Sequence, residues 1–159
     1  AGLIHDIGKL VIYITLPNEF FKLVKATRHL KLKFMAFETE KRAIGMTHDE
    51  VGMRLLKKWM FPESLLTAIG FHHRLQETEK KSLLPVVVHI ADIFAHLYEM
   101  QTVVEEDDPL KTETLFPDII KLAQSYEIEW DESDLNRLQQ SLTESIEKEA
   151  VAFSLFFGN

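Results

Sequence analysis

The chain has 159 residues, enough for a buried core, with 46% hydrophobic residues, 27% charged residues and a net charge of −7. It has no Cys, which excludes disulfides and thiolate metal sites, and it has no apolar run of the ~18 residues that a membrane span needs. The opening residues lack the basic start and small-residue cleavage site of a signal peptide, and a Cys-free chain of this kind is expected in the cytoplasm.

Charge is unevenly spread. Residues 1–98 carry 14 Lys/Arg against 10 Asp/Glu, whereas residues 99–159 carry 4 against 15. Such a balance argues against nucleic acid as the main partner, because phosphate binding needs a basic footprint. It leaves room for a small anionic ligand on the first part and an acidic, solvated surface on the second. This division gives two expected regions of one domain, a helical core over 1–98 and an acidic helical subdomain over 99–159.

Apolar residues recur at spacings of three and four almost throughout, and no stretch alternates long enough for a strand, so the chain is expected to be all-α. Leu3 to Ile14 reads as a buried helix with Gly8 inside it. Asn18 is placed to cap a helix through Phe21, Val24 and Leu32 towards Ile44, broken midway, with Gly45 ending it. "THDEVG" opens the next helix with a capping box between Thr47 and Glu50. Pro62 is expected at the first position of another helix. Pro85 sits near the start of a long apolar one through Val88, Ile90 and Leu97. After the acidic link "EEDDP", a short helix is expected from about Asp118 to Tyr126 and a last one from about Ser133. Leu135, Leu138, Leu142 and Ile146 form a stripe on that last helix suited to core packing. The apolar end "AFSLFFGN" is expected to dock back on the domain. "KLVKATRHLKLK", which includes His29, Lys31 and Lys33, reads as a solvated basic face or a docking surface for an acidic partner.

Six of the seven histidines fall in four short clusters: His5-Asp6; His48; His72-His73; and "HIADIFAH", with His89, Asp92 and His96. The last three share one helix face. Leu65, Ile69 and His72 share a face, as do Leu66, Ile69 and His73, so the histidine pair sits where a core stripe runs out. A lone His-Asp pair on a helix is more often a local hydrogen bond, and a histidine pair at a helix C-terminus can simply suit the dipole. His48 differs, because a positive charge at a helix N-terminus is unfavourable, and a neutral imidazole is expected there. With no thiols, any metal must be held by imidazole and carboxylate, which suits Zn, Fe, Mn or Mg without choosing among them.

Taken together, "GLIHDIGKLVI", "THDEVGMRLLKKWMFPESLLTAIGFHH" and "LLPVVVHIADIFA" resemble the HD superfamily and, within it, the HDOD group of bacterial signalling proteins, over Gly2 to about Leu97. The resemblance implies a multi-helix HD-like bundle whose first helices would precede Ala1. It makes His5 and Asp6 the superfamily's paired metal ligands and Asp92 its final aspartate. His48, His72 and His73 match positions where the related HD-GYP phosphodiesterases place further ligands, and Lys9 matches their phosphate-directed lysine. Those enzymes continue after the histidine pair with an acidic residue and a Gly-Tyr-Pro loop, whereas this chain reads "RLQETEKK". The superfamily's first histidine lies on a helix before the doublet. The expected function is therefore a regulatory output module, non-catalytic or weakly catalytic. It would work with an upstream segment or signalling domain of the same polypeptide, a protein partner or a small anionic ligand. The alternative is a metal-dependent phosphohydrolase acting on a nucleotide or phosphodiester.

Overall fold

A computed structural model describes residues 1–27, 37–78, 82–103 and 115–157 of the chain, with side chains described through residue 98 and from 115 to 150. Among the described residues the secondary structure is entirely helical. It comprises α1 (Ile7–Thr15), α2 (Pro17–Thr27), α3 (Phe37–Ile44), α4 (His48–Lys58), α5 (Glu63–Phe71), α6 (Leu83–Val103), α7 (Phe116–Ser125) and α8 (Glu132–Phe157). Short 3₁₀ turns cover Gly2–Ile4 and Leu75–Glu77. The chain divides into two compact units, Ala1–Met100 and Gln101–Asn159.

In the first unit α1 packs on α4 and α4 on α5, around Leu56, Leu66 and Ile69, with Ile4, Ile7, Met53 and Phe61 against them. Glycine decides how closely α1 and α4 approach. A Cβ on Gly8 would lie 1.8 Å from the His48 carbonyl oxygen and 2.8 Å from the Gly52 amide nitrogen. Both obstacles are backbone, so no rotamer change could relieve the clash. The first turn of α1 is thereby set directly against the first turn of α4.

Several sequence expectations change in detail. Leu3 to Ile14 is not one buried helix: the chain turns at His5 and Asp6 before α1 starts, and Leu3 is 99% exposed. The Asp6 carboxylate, which could have capped α1, is drawn sideways to Lys9 and His48. The next helix begins at Pro17, so Asn18 lies inside it rather than capping it. Pro62 stands one place earlier than expected, at the N-cap of α5. The capping box of α4 forms as read from "THDEVG", with the Thr47 amide donating to the Glu50 carboxylate at 3.3 Å. Pro85 falls in the first turn of α6, where its missing amide hydrogen leaves no intrahelical bond unmade. On α8 only Leu135 of the expected stripe is fully buried; Leu138 is 43% exposed, and Leu142 and Ile146 are half-buried. His29, Leu32, Lys31, Lys33, the "EEDDP" link and the side chains of the apolar end lie outside the described residues.

Two helices end in Schellman motifs built on non-glycine residues. At the end of α4 the Phe61 amide donates to the Leu56 carbonyl at 3.1 Å and the Met60 amide to Lys57 at 3.0 Å, with Met60 at φ 59°. Glu127, at φ 62°, closes α7 in the same way. A left-handed conformation costs an L-residue about 1–2 kcal/mol, part of which glycine gives back through its greater unfolded-state entropy.

Two expectations follow from this geometry. Met60→Gly, at an 89% exposed position, should raise stability by about 0.5–1 kcal/mol, read as a higher urea midpoint at unchanged slope. Gly8→Ala should lower stability by at least about 3 kcal/mol in the same measurement, because the added methyl meets backbone on α4.

Candidate metal centre

The close approach of α1 to α4 carries the His5-Asp6 turn onto the N-terminus of α4. From there the two residues face the end of α5 and the middle of α6. The ligand-type atoms of Asp6, His48, His72 and His73 lie within 4.8 Å of one another, and so do those of His5, Asp6 and Asp92. Asp6 belongs to both groups. Residues far apart in sequence thus form a tetrad and a triad that share one carboxylate.

Each side chain is oriented by a specific bond. His5 Nδ1–H donates to the Gly2 carbonyl at 2.7 Å, which turns Nε2 towards Asp92 Oδ1 at 3.3 Å and Asp6 Oδ2 at 3.5 Å. His72 Nδ1–H donates to the Ile69 carbonyl at 2.8 Å, and its Nε2 is buried with no hydrogen-bond partner. His73 Nε2 faces His48 Nε2 at 3.2 Å while its Nδ1 is buried and unpartnered. The His73 ring stacks on Phe37, with centroids 5.6 Å apart. Asp6 Oδ2 accepts from Lys9 at 2.6 Å. Its Oδ1 lies 3.1 Å from His48 Nε2 but outside hydrogen-bond alignment, so it too has an unused lone pair. Asp92 Oδ1 also meets His96 Nδ1 at 3.2 Å.

Glu40 completes the arrangement, and no sequence signal pointed to it. Its Oε2 accepts from both the His48 amide at 2.8 Å and the His48 ring Nδ1 at 2.7 Å, and the residue is 6% exposed. A carboxylate that holds one ring nitrogen fixes the tautomer and aims the other nitrogen. Here that other nitrogen, Nε2, is aimed at Asp6 and His73.

The charges alternate across the cluster. Burial opposes a charge on His48, yet the Asp6 carboxylate beside it and its bond to Glu40 raise its pKa to about 9, so the neutral imidazole expected from the helix dipole is not what the cluster favours without a cation. Two carboxylates at contact distance outweigh the dipole. Burial likewise opposes ionisation of Asp6, but His48 and Lys9 hold its carboxyl well below the usual range. Asp92 is held low in the same way by His5 and His96. Burial pushes His72 down to about 4 and His73 down to about 2, so both rings are neutral and can offer lone pairs. The donor set is imidazole and carboxylate, with Asp6 Oδ1 and His72 Nε2 as buried, unsatisfied acceptors, which fits a divalent ion.

The structure therefore brings together His5, Asp6, His48, His72, His73 and Asp92, and it sets Lys9 against Asp6. His96 joins through Asp92. His89 is half-buried on the same helix, and desolvation lowers its pKa, but it belongs to neither group.

Residues 1–75 match the family model of the HDOD domain. An uncharacterized protein of Treponema pallidum (strain Nichols) is 29% identical over 89 residues, which are 55% of this chain and 17% of that relative. The chain thus spans about a sixth of the relative's length. No solved structure gives a significant match.

The walls of the cluster are tied by one buried ion pair. Asp49, fully buried next to His48, accepts from Arg74 Nε at 3.1 Å through Oδ2 and from the Glu50 amide at 2.8 Å through Oδ1, which also receives the Thr47 hydroxyl. Arg74, next to His73, further donates to the Gly70 carbonyl at 3.0 Å and to Glu77 at 2.8 Å. The pair pins the start of α4 to the end of α5, and so fixes His48 against His73. Arg74→Met should cost about 3–5 kcal/mol in urea unfolding, because it strands the Asp49 charge in the interior.

Proposed function

Since residues 1–75 belong to the HDOD family of the HD superfamily, we propose that this chain is a signalling output module whose His/Asp cleft binds a divalent metal and performs little or no catalysis. The observation that carries the metal reading is the pair of overlapping ligand groups around Asp6, with Asp6 Oδ1 and His72 Nε2 buried and unsatisfied. His48, His72 and His73 would hold an ion on one side of Asp6, and His5 and Asp92 on the other. Glu40 would orient His48 for that task. Fe, Mn, Zn and Mg all suit such ligands.

The chain after the histidine pair supports binding over hydrolysis. Where an acidic residue and a Gly-Tyr-Pro loop would follow in an HD-GYP enzyme, Arg74 turns into the domain and clamps Asp49. Phosphodiester hydrolysis is the second reading, favoured by Lys9, whose ammonium lies 2.6 Å from Asp6 and could steady charge developing on a phosphoryl oxygen. A bound divalent ion would there supply Lewis acidity and a water acidified towards neutral pH. As partners we propose a signalling domain of the same polypeptide, in line with the much longer relative, or a protein or small anionic ligand. Among the described residues no helix is long and apolar enough to cross a membrane; a cytoplasmic site of action is part of this proposal.

The test is metal content of the purified protein by elemental analysis, followed by assay on a chromogenic phosphodiester. Near-stoichiometric metal is expected, abolished in Asp6→Ala and Asp92→Ala at unchanged helix content. Glu40→Gln should weaken affinity roughly 10–100-fold in chelator competition. Protein that neither carries metal nor takes it up would overturn the metal reading. Metal-dependent turnover lost in His73→Ala would replace the output reading with the hydrolase.

A further inference from the structure

Beside the cluster lies a cavity of about 160 Å³ that no part of the metal reading uses. Ile12 of α1 and Phe20, Leu23 and Val24 of α2 form its apolar wall, and Lys9, Thr27, Glu40 and His96 are its polar lining. We propose that this cavity is a binding site for a small monocarboxylate with an apolar body the size of one ring or a short branched chain.

Size sets the body of the ligand. A cavity of roughly 150 Å³ lined by apolar side chains accommodates benzene, so this one has room for a single ring and little more. The wall supplies aliphatic and aromatic surface on two helices, and the Thr27 hydroxyl that joins it already donates to the Leu23 carbonyl at 2.9 Å.

Charge sets the head. An ammonium carries three N–H donors, and Lys9 gives one to Asp6 Oδ2, which leaves donors for an anion in the cavity. Glu40 does not cancel this attraction at contact range, because its Oε2 is engaged by two donors of His48. One ammonium with spare donors suits the two oxygens of a carboxylate. A phosphate would bring more oxygens than this mostly apolar wall can satisfy. The site lies on α1, α2, α3 and the His96 position of α6, and it is read by a ligand that carries no metal.

The experiment is titration of the 15N-labelled protein with benzoate, benzyl alcohol and inorganic phosphate, followed by amide shifts. Benzoate is expected to give saturable shifts confined to α1, α2, α3 and the stretch of α6 around His96. Benzyl alcohol, of the same bulk without the charge, should bind about tenfold more weakly, and phosphate should leave those amides in place. Val24→Trp, at the half-exposed rim, should fill the cavity and abolish benzoate binding. Lys9→Gln provides a second variant, in which benzoate and benzyl alcohol should become equal. Absence of saturable benzoate binding, or binding that survives Val24→Trp, would overturn the site. Equal affinity for benzoate and benzyl alcohol in the unmodified protein would overturn its preference for an anion. Saturation of the same amides by phosphate would overturn the carboxylate assignment.

Discussion

The close approach of Gly8 to the first turn of α4 is the constraint on which the rest of the first unit depends. With no side chain at Gly8, the α1 backbone comes against the His48 carbonyl and the Gly52 amide. Gly52 works from the other side, where a Cβ would sit 3.2 Å from both Ile7 and Ile69. Nothing larger fits at that crossing, and the crossing is what places the turn before α1 against the start of α4. Asp6 and His48, 42 positions apart in sequence, become neighbours at 3.1 Å because two helix backbones can touch.

Once the backbones are set, electrostatics decides the side-chain arrangement. Imidazoles and carboxylates alternate from Glu40 through His48 to Asp6 and Lys9, and from His5 and His96 to Asp92. Every ionised carboxylate has a cationic or proton-bearing partner, as burial requires. His72 and His73 stand outside this alternation, and burial keeps them neutral. A proton on His48 then occupies the same ground a metal ion would, since Asp6 and His73 face the same ring nitrogen. Proton and metal compete for one set of lone pairs. The cluster is thus balanced without an ion while keeping acceptors in place for one.

Much of this was legible in the sequence, for reasons that also explain what was not. Histidines beside aspartates among apolar helices signal chemistry by residue type alone, and "THDEVG" fixes a helix start by local bonding. The turn at His5 and Asp6 was hidden because apolar periodicity runs straight through it; what breaks the helix is Asp6 reaching for partners on another element. Glu40 was hidden for a related reason. In "FETEKRAI" it looks like part of a solvated charged face, and its partner His48 is eight residues away, at no helical spacing. Asp49 looked like an ordinary first-turn acid, and only the end of α5 shows that it is the buried half of an ion pair. Periodicity reports which face is apolar, not which polar residue a neighbouring helix will cover. The same limit explains Leu138, which has the right spacing for a core and no element over it among the described residues.

Arg74 bears most directly on how the cleft came to be used. A residue directly after two ligand-type histidines is well placed to take part in chemistry, and an acid there could add an oxygen ligand. A guanidinium cannot ligate a cation and would repel one, so its head must be turned away if the cleft is to hold an ion. That is the observed geometry: its guanidinium donates to Asp49, Glu77 and the Gly70 carbonyl. The position has been given over to holding α4 against α5. A cleft with rigid walls and one fewer oxygen donor is better suited to keeping a cation than to exchanging ligands around it, because hydrolysis needs an open coordination position and a site that can reorganise around substrate. On that ground the Arg74 clamp favours the proposed output module over the hydrolase, with the histidines built into the walls of the cleft.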